Sequence, residues 1–121
     1  MQLAILGAGN LGKALARGLV RAGRIAPDEM VLTRRHPAPI DDFTVQADNV
    51  DAARRADTIV LAVQPQQLDG LLDEIAPVID PERHVVVSVA SGASRESIHR
   101  RIGKPVPIVR AMPNVAIAIG Q

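Results

Sequence analysis

With 121 residues, 47% of them hydrophobic, 22% charged and 1% aromatic, the chain has the make-up of one globular domain with a Val, Ile, Leu and Ala core, Phe43 being its sole Phe, Tyr or Trp. Fourteen Lys and Arg against thirteen Asp and Glu leave a net charge of +1, which excludes an overall basic field for gathering nucleic acid or gripping a membrane surface, so any anion site has to be local. The lack of cysteine excludes disulfides, thiolate nucleophiles and zinc–thiolate sites, and with no apolar run of spanning length and no leader-like start a soluble, cytoplasmic protein is expected.

In chain order, residues 2–6 read as a first strand. Residues 11–22 read as an amphipathic helix, with Leu11, Leu15 and Leu19 on one stripe, Lys13, Arg17 and Arg21 on another, and Gly23 as the stop. Strands follow at 30–33 and 43–46, separated by a loop whose Pro-rich piece is residues 35–40. Asn49 is the expected cap of a second helix reaching Arg55, and a fourth strand covers 58–63. Pro65 opens a third helix from Gln66 to about Ala76, and a fifth strand covers 84–90. Ser94 with Ser97 starts a fourth helix ending near Gly103, and a sixth strand covers 107–111. Strand–helix alternation predicts an α/β fold of the doubly wound Rossmann type, a mainly parallel sheet with helices on both faces.

The chemistry starts where the first strand hands over to its helix. Gly7-Ala8-Gly9-Asn10-Leu11-Gly12 is a G-x-G-x-x-G match in a strand–turn–helix setting. The first glycine allows the tight turn, the second lets backbone approach a pyrophosphate, and the third lets the helix pack closely on the strand. The helix then points free N–H groups and its positive dipole end at the phosphates. The expected coenzyme-contacting stretch is Leu6, Gly7, Ala8, Gly9, Asn10, Leu11 and Gly12. A plain strand-to-helix turn explains the glycines less well, and the full G-x-x-x-x-G-K-[ST] pattern of a triphosphate loop is absent.

The second strand bears on coenzyme choice. NAD enzymes usually end it with an acidic residue that accepts from the ribose 2′-hydroxyl, whereas this strand ends in Thr33-Arg34-Arg35. A hydroxyl and two guanidiniums suit a 2′-phosphate, which favours NADP(H), with NAD(H) as the less favoured coenzyme. Solvated loop charges are the bland alternative for Arg34 and Arg35.

Three further segments fall at strand ends, where open α/β sheets bind ligands: Ala62-Val63-Gln64-Pro65-Gln66, Ser88-Val89-Ala90-Ser91-Gly92 and Arg110-Ala111-Met112-Pro113-Asn114. Together with the glycine loop they resemble the N-terminal domain of the pyrroline-5-carboxylate reductases, whose corresponding pieces read approximately AVKPQ, S-x-A-A-G and R-x-M-P-N. The resemblance implies that Asn49, Ala62, Val63, Gln64 and Pro65 line the adenosine and ribose side of NADP. It puts Val89, Ala90 and Ser91 along the nicotinamide ribose, and Met112, Pro113 and Asn114 beside the nicotinamide. Gln64 stands where that family usually has Lys, and Ser91 where it has Ala.

The implied reaction is NADPH-dependent reduction of the cyclic imine 1-pyrroline-5-carboxylate to proline, the last step of proline biosynthesis. The coenzyme carries the chemistry and the protein aligns it. The family continues into a helical C-terminal domain that dimerises and supplies much of the substrate pocket, so residues 1–121 are expected to bind coenzyme without appreciable turnover. A homo-oligomer is expected for the full-length protein. Residues 115–119 alternate branched and small apolar side chains, as in a further strand. No catalytic residue is assigned; His36, His84 and His99 lack ligand-type spacing, and Asp41, Asp42 and the 69–74 carboxylates read as solvated charges with no metal or acid/base role. Related NADP-linked reductases, the β-hydroxyacid dehydrogenases and deazaflavin-dependent NADP reductases, share the glycine loop, and a non-catalytic NADP-sensing module is the alternative from another class.

Overall fold

In the computed structural model, which describes residues 3–90 and 92–111, the branched runs form strands β1 (Leu3–Leu6), β2 (Met30–Thr33), β3 (Thr44–Gln46), β4 (Thr58–Leu61), β5 (Val85–Ser88) and β6 (Ile108–Arg110). They pair in the order β3-β2-β1-β4-β5-β6, every neighbour parallel. Between them run α1 (Asn10–Arg21), α2 (Asn49–Arg55), α3 (Pro65–Ile75) and α4 (Arg95–Ile102). The chain builds outward from β1 to β3, then returns to lay β4 on the other side of β1. Strand order therefore reverses between β1 and β4, and the carboxyl ends part there into a crevice.

Both faces of the sheet are covered, unequally. Ala4, Leu6, Ile59, Leu61 and Val86 pack under α2, α3 and α4 through Ala52, Leu68, Leu72, Ile75 and Ile98. Ile5, Met30, Leu32 and Val60 pack on the opposite side against α1 and the Ile40–Phe43 loop. β1 and β2 are consequently buried on both faces, as central parallel strands must be, whereas β5 alternates buried with half-buried and β6 leaves Val109 50% exposed. No helix among the described residues is long and apolar enough to cross a membrane.

The expected leucine stripe of α1 requires correction. Leu11 is 40% exposed, and the helix touches the sheet through Gly12 and Ala16, with Leu15 and Leu19 alongside. A Cβ on Gly12 would stand 3.3 Å from the Gly7 carbonyl oxygen and from Ile5 Cγ2, so the helix start lies close against the loop and a larger residue would have to push its neighbours aside. At its other end Gly23 takes φ +71, Gly23 N–H donates to the Val20 carbonyl and Arg24 N–H to that of Leu19, which closes the helix as the glycine foreshadowed.

Asn49 is not the cap of α2. Asp48 occupies that position and accepts from Asp51 N–H at 3.0 Å, leaving the Asn49 side chain free for tertiary bonds. Pro65 stands at the first position of α3, and Ser94 caps α4 by accepting from Ser97 N–H. Arg101 then ties α4 to α3 through two 2.8 Å bonds to Asp73. Lys104 Nζ donates to the carbonyls of Ala76 and Ile79, tying the chain after α4 to the turn that follows α3.

Strands β4 and β5 stop two residues short of their expected ends, at Leu61 and Ser88. Ala62 N–H still reaches Leu6 O and Val89 N–H still reaches Leu61 O, after which neighbouring strands diverge and the ladder is lost. The freed residues form the rim of the crevice. Phe43 likewise leaves β3 because its N–H closes a turn onto Ile40 O.

His84 is fully buried ahead of β5, its Nδ1 accepting from Asp80 N–H while Nε2 has no hydrogen-bond partner among the described residues. Burial, and next the neighbouring Arg83 charge, hold its imidazolium form below the usual histidine range. Above pH about 6.5 folded and unfolded chains are both neutral at this site. Below it the unfolded chain takes up a proton that the folded one refuses, so stability falls by up to about 1.4 kcal/mol per pH unit until the lowered folded value is reached. Urea titrations at pH 7.5 and 5.5 should show this acid loss in the parent and a flatter profile in His84→Asn; equal slopes would exclude His84 as the cause. Asp41 and Asp73, held below the usual carboxylate range by hydrogen bonds from Arg17 and Arg101, act only at more acid pH, outside that window.

Candidate dinucleotide site

The loop that leaves β1 is held from below by β2. Gly7 N–H donates to Thr33 Oγ1 at 3.1 Å, and Ala8 N–H to the Thr33 carbonyl at 2.7 Å. Gly7 sits at φ +89, and a Cβ there would overlap Val63 Cγ1 and stand 3.1 Å from that residue's backbone N and Cα. Both the conformation and the space demand glycine. Gly9 differs: its φ is −80, and nothing lies within 4 Å of where its Cβ would be. As the cap of α1 it offers no side chain to the helix N-terminus, whose first turn also lacks an acidic residue. The N–H groups of Asn10 and Leu11 therefore open onto empty space at the positive end of α1.

That space is the mouth of a groove of about 1340 Å³ along the carboxyl ends of the central strands. This exceeds the roughly 300–1,000 Å³ usual for drug-sized ligands and suits an elongated molecule. Its floor carries Gly7, Ala8, Gly9, Asn10 and Leu11, one wall Thr33, Arg34, Arg35 and Asn49, and the other the 62–65 turn with Val89 and Ala90. The structure thus brings most of the expected residues to one cavity. Leu6 and Gly12 do not line it: Leu6 is fully buried in the core and Gly12 is spent on helix packing. Ser91, Met112, Pro113 and Asn114, like the expected strand at 115–119, lie outside the described residues.

Thr33 is 1% exposed and its hydroxyl is committed within the fold, accepting from Gly7 N–H and donating to Asn49 Oδ1. It shapes the phosphate loop and has no hydrogen left for a phosphate. Arg34 and Arg35, at the open end, have no ion-pair partner among the described residues. Gln64, which stands where a Lys was expected by resemblance, is turned onto its own helix; its Oε1 accepts from Gln66 Nε2, and its N–H donates to Gln67 Oε1.

Sequence reasoning missed the contribution of α3. Gln67, Gly70, Leu71 and Glu74, one face of that helix, line the groove, and Glu74 Oε1 accepts from Asn49 Nδ2 at 2.9 Å. A helix-interior glycine inside a polar i, i+3, i+7 stripe was the available signal.

The family model described as NADP oxidoreductase coenzyme F420-dependent matches residues 2–92. Pyrroline-5-carboxylate reductase 1 of Dictyostelium discoideum is 44% identical over 120 residues, which cover 95% of this chain and 22% of that protein. The Plasmodium falciparum pyrroline carboxylate reductase with NADP bound superposes with a TM-score of 0.89 at 26% identity, over 100% of this chain and 45% of that one. A pyrroline-5-carboxylate reductase from Coxiella burnetii gives 0.84 at 28%, over 98% and 46%. The chain thus spans less than half the length of these relatives.

Proposed function

Since this chain belongs to the NADP oxidoreductase, coenzyme F420-dependent family, we propose that it is the dinucleotide-binding part of a reductase that takes 1-pyrroline-5-carboxylate to proline with NADPH. The observation that carries the reading is the open cradle at Gly9, at the N-terminus of α1, in a groove that also carries Arg34 and Arg35, neither ion-paired among the described residues. The residues present fit a dinucleotide. The Asn10 and Leu11 N–H groups at the start of α1 would hold the pyrophosphate, the Gly7, Ala8 and Gly9 N–H groups being spent on shaping the loop, and Arg34 and Arg35 would hold a 2′-phosphate. Val89 and Ala90, small and apolar, would let the nicotinamide ribose lie close to the end of β5. When bound, the nicotinamide supplies hydride; this chain's part is to orient that ring and exclude water along the groove.

The relatives named for pyrroline-5-carboxylate support this substrate. They are more than twice as long, so the pocket for the substrate carboxylate and the homo-oligomer contact are assigned to sequence outside residues 1–121. One domain covers those residues, and a cytoplasmic setting goes with the reading. A second reading, reduction or oxidation of a deazaflavin by the same coenzyme, is favoured by the family model itself. Assaying the full-length protein with NADPH and either 1-pyrroline-5-carboxylate or coenzyme F420 separates the two.

The coenzyme assignment has its own test. By calorimetry the chain should bind NADPH more tightly than NADH, and Arg34→Ala/Arg35→Ala should lose about ten- to a hundredfold in NADPH affinity with NADH little changed, as one or two charge-assisted bonds are worth. An unaltered preference would remove these arginines from the site.

A further inference from the structure

The acidic residue that a dinucleotide fold usually carries at the end of β2 is absent here, yet a carboxylate from another element is linked to that strand end through one amide. Glu74, on the groove-facing side of α3, accepts from Asn49 Nδ2, and Asn49 Oδ1 accepts from the Thr33 hydroxyl at the end of β2. The polarity of this chain is forced. An ionised carboxylate only accepts, so it must face the amide nitrogen; the amide oxygen then faces Thr33, whose hydroxyl must donate, leaving its oxygen to receive Gly7 N–H. Among the described residues Glu74 has no cation within ion-pair distance. Gly70, one turn earlier on α3, has nothing within 4 Å of a would-be Cβ, so the wall in front of the carboxylate is open. A glycine inside a helix costs about 1 kcal/mol relative to alanine, a sacrifice that clearance for a ligand accounts for.

We infer that Glu74 is a specificity-determining residue of the adenosine end: its charge opposes a 2′-phosphate, offsetting Arg34 and Arg35, and keeps NAD(H) within reach of the same site. This rests on the dinucleotide reading above. The groove then carries both signs around the 2′ position, and coenzyme preference is their balance. A unit charge several ångströms away near a protein surface alters affinity for a dianion by roughly three- to tenfold, and salt reduces it.

The test compares NADPH and NADH affinities, by calorimetry at low and high salt, in the parent, Glu74→Gln and Glu74→Ala, with urea stability measured in parallel. Glu74→Gln keeps an acceptor for Asn49 Nδ2 and removes only the charge. The expected result is a three- to tenfold gain in NADPH relative to NADH in that variant, shrinking at high salt. An unchanged ratio overturns the inference, as does a loss of both affinities in step with stability, which is what a merely structural tie between α2 and α3 would give. If the parent binds neither coenzyme, the dinucleotide reading fails and takes this inference with it.

Discussion

Gly9→Ala should fold with a stability within about 1 kcal/mol of the parent and bind NADPH about a hundredfold more weakly. Nothing in the protein meets a Cβ at this position, and the backbone is extended with a negative φ, so the folded chain can take a methyl here at little cost. As a helix cap, alanine is somewhat poorer than glycine, a difference of order 0.5–1 kcal/mol. The methyl would instead stand in the opening before the Asn10 and Leu11 N–H groups. A pyrophosphate kept from two such donors loses bonds worth about 1.5–3 kcal/mol each when the acceptor is charged, so a hundredfold is a modest expectation. Calorimetry with a parallel urea titration decides it. Undiminished affinity would mean the cradle is not where phosphate binds, and the functional reading would go with it.

Gly7→Ala should do the opposite, costing about 3 kcal/mol or more in stability. A non-glycine residue at φ +89 is strained by roughly 1–3 kcal/mol, and the new methyl must displace Val63 Cγ1 and press on Val63 backbone at 3.1 Å. Adding Val63→Ala should recover part of the loss, because it removes the side-chain overlap but neither the backbone contact nor the strain. A loss below about 1 kcal/mol would show that the loop relaxes freely. The two glycines thus separate by readout, one structural and one for the ligand, although the G-x-G spacing presents them alike.

Much of the fold was legible because its determinants are local. The six strands expected between residues 2 and 111 all form, since short runs of branched residues favour extended backbone. Pro65 and Ser94 begin helices because a missing N–H and a short hydroxyl act within one turn. The failures are equally specific. Leu11 was placed on the inner stripe of α1 by periodicity alone, but a helix that starts at a glycine loop presses its small residues, Gly12 and Ala16, against the sheet and leaves that leucine at the groove. Asp48 and Asn49 can both cap a helix, and neighbours cannot break the tie. Thr33, 16 residues earlier, and Glu74, 25 residues later, hold Asn49 instead.

The same division runs through the candidate site. Chain order alone dictated the parallel sheet, the glycine loop ahead of α1 and the basic close of β2, because each depends on a few consecutive side chains and on backbone conformations they permit. The commitment of the Thr33 hydroxyl, the turning of Glu74 into the groove and the different duties of Gly7 and Gly9 came from packing. Each depends on which distant atoms stand within a few ångströms, and that is settled only when α3 lies beside α2 and the β4 turn closes over the loop.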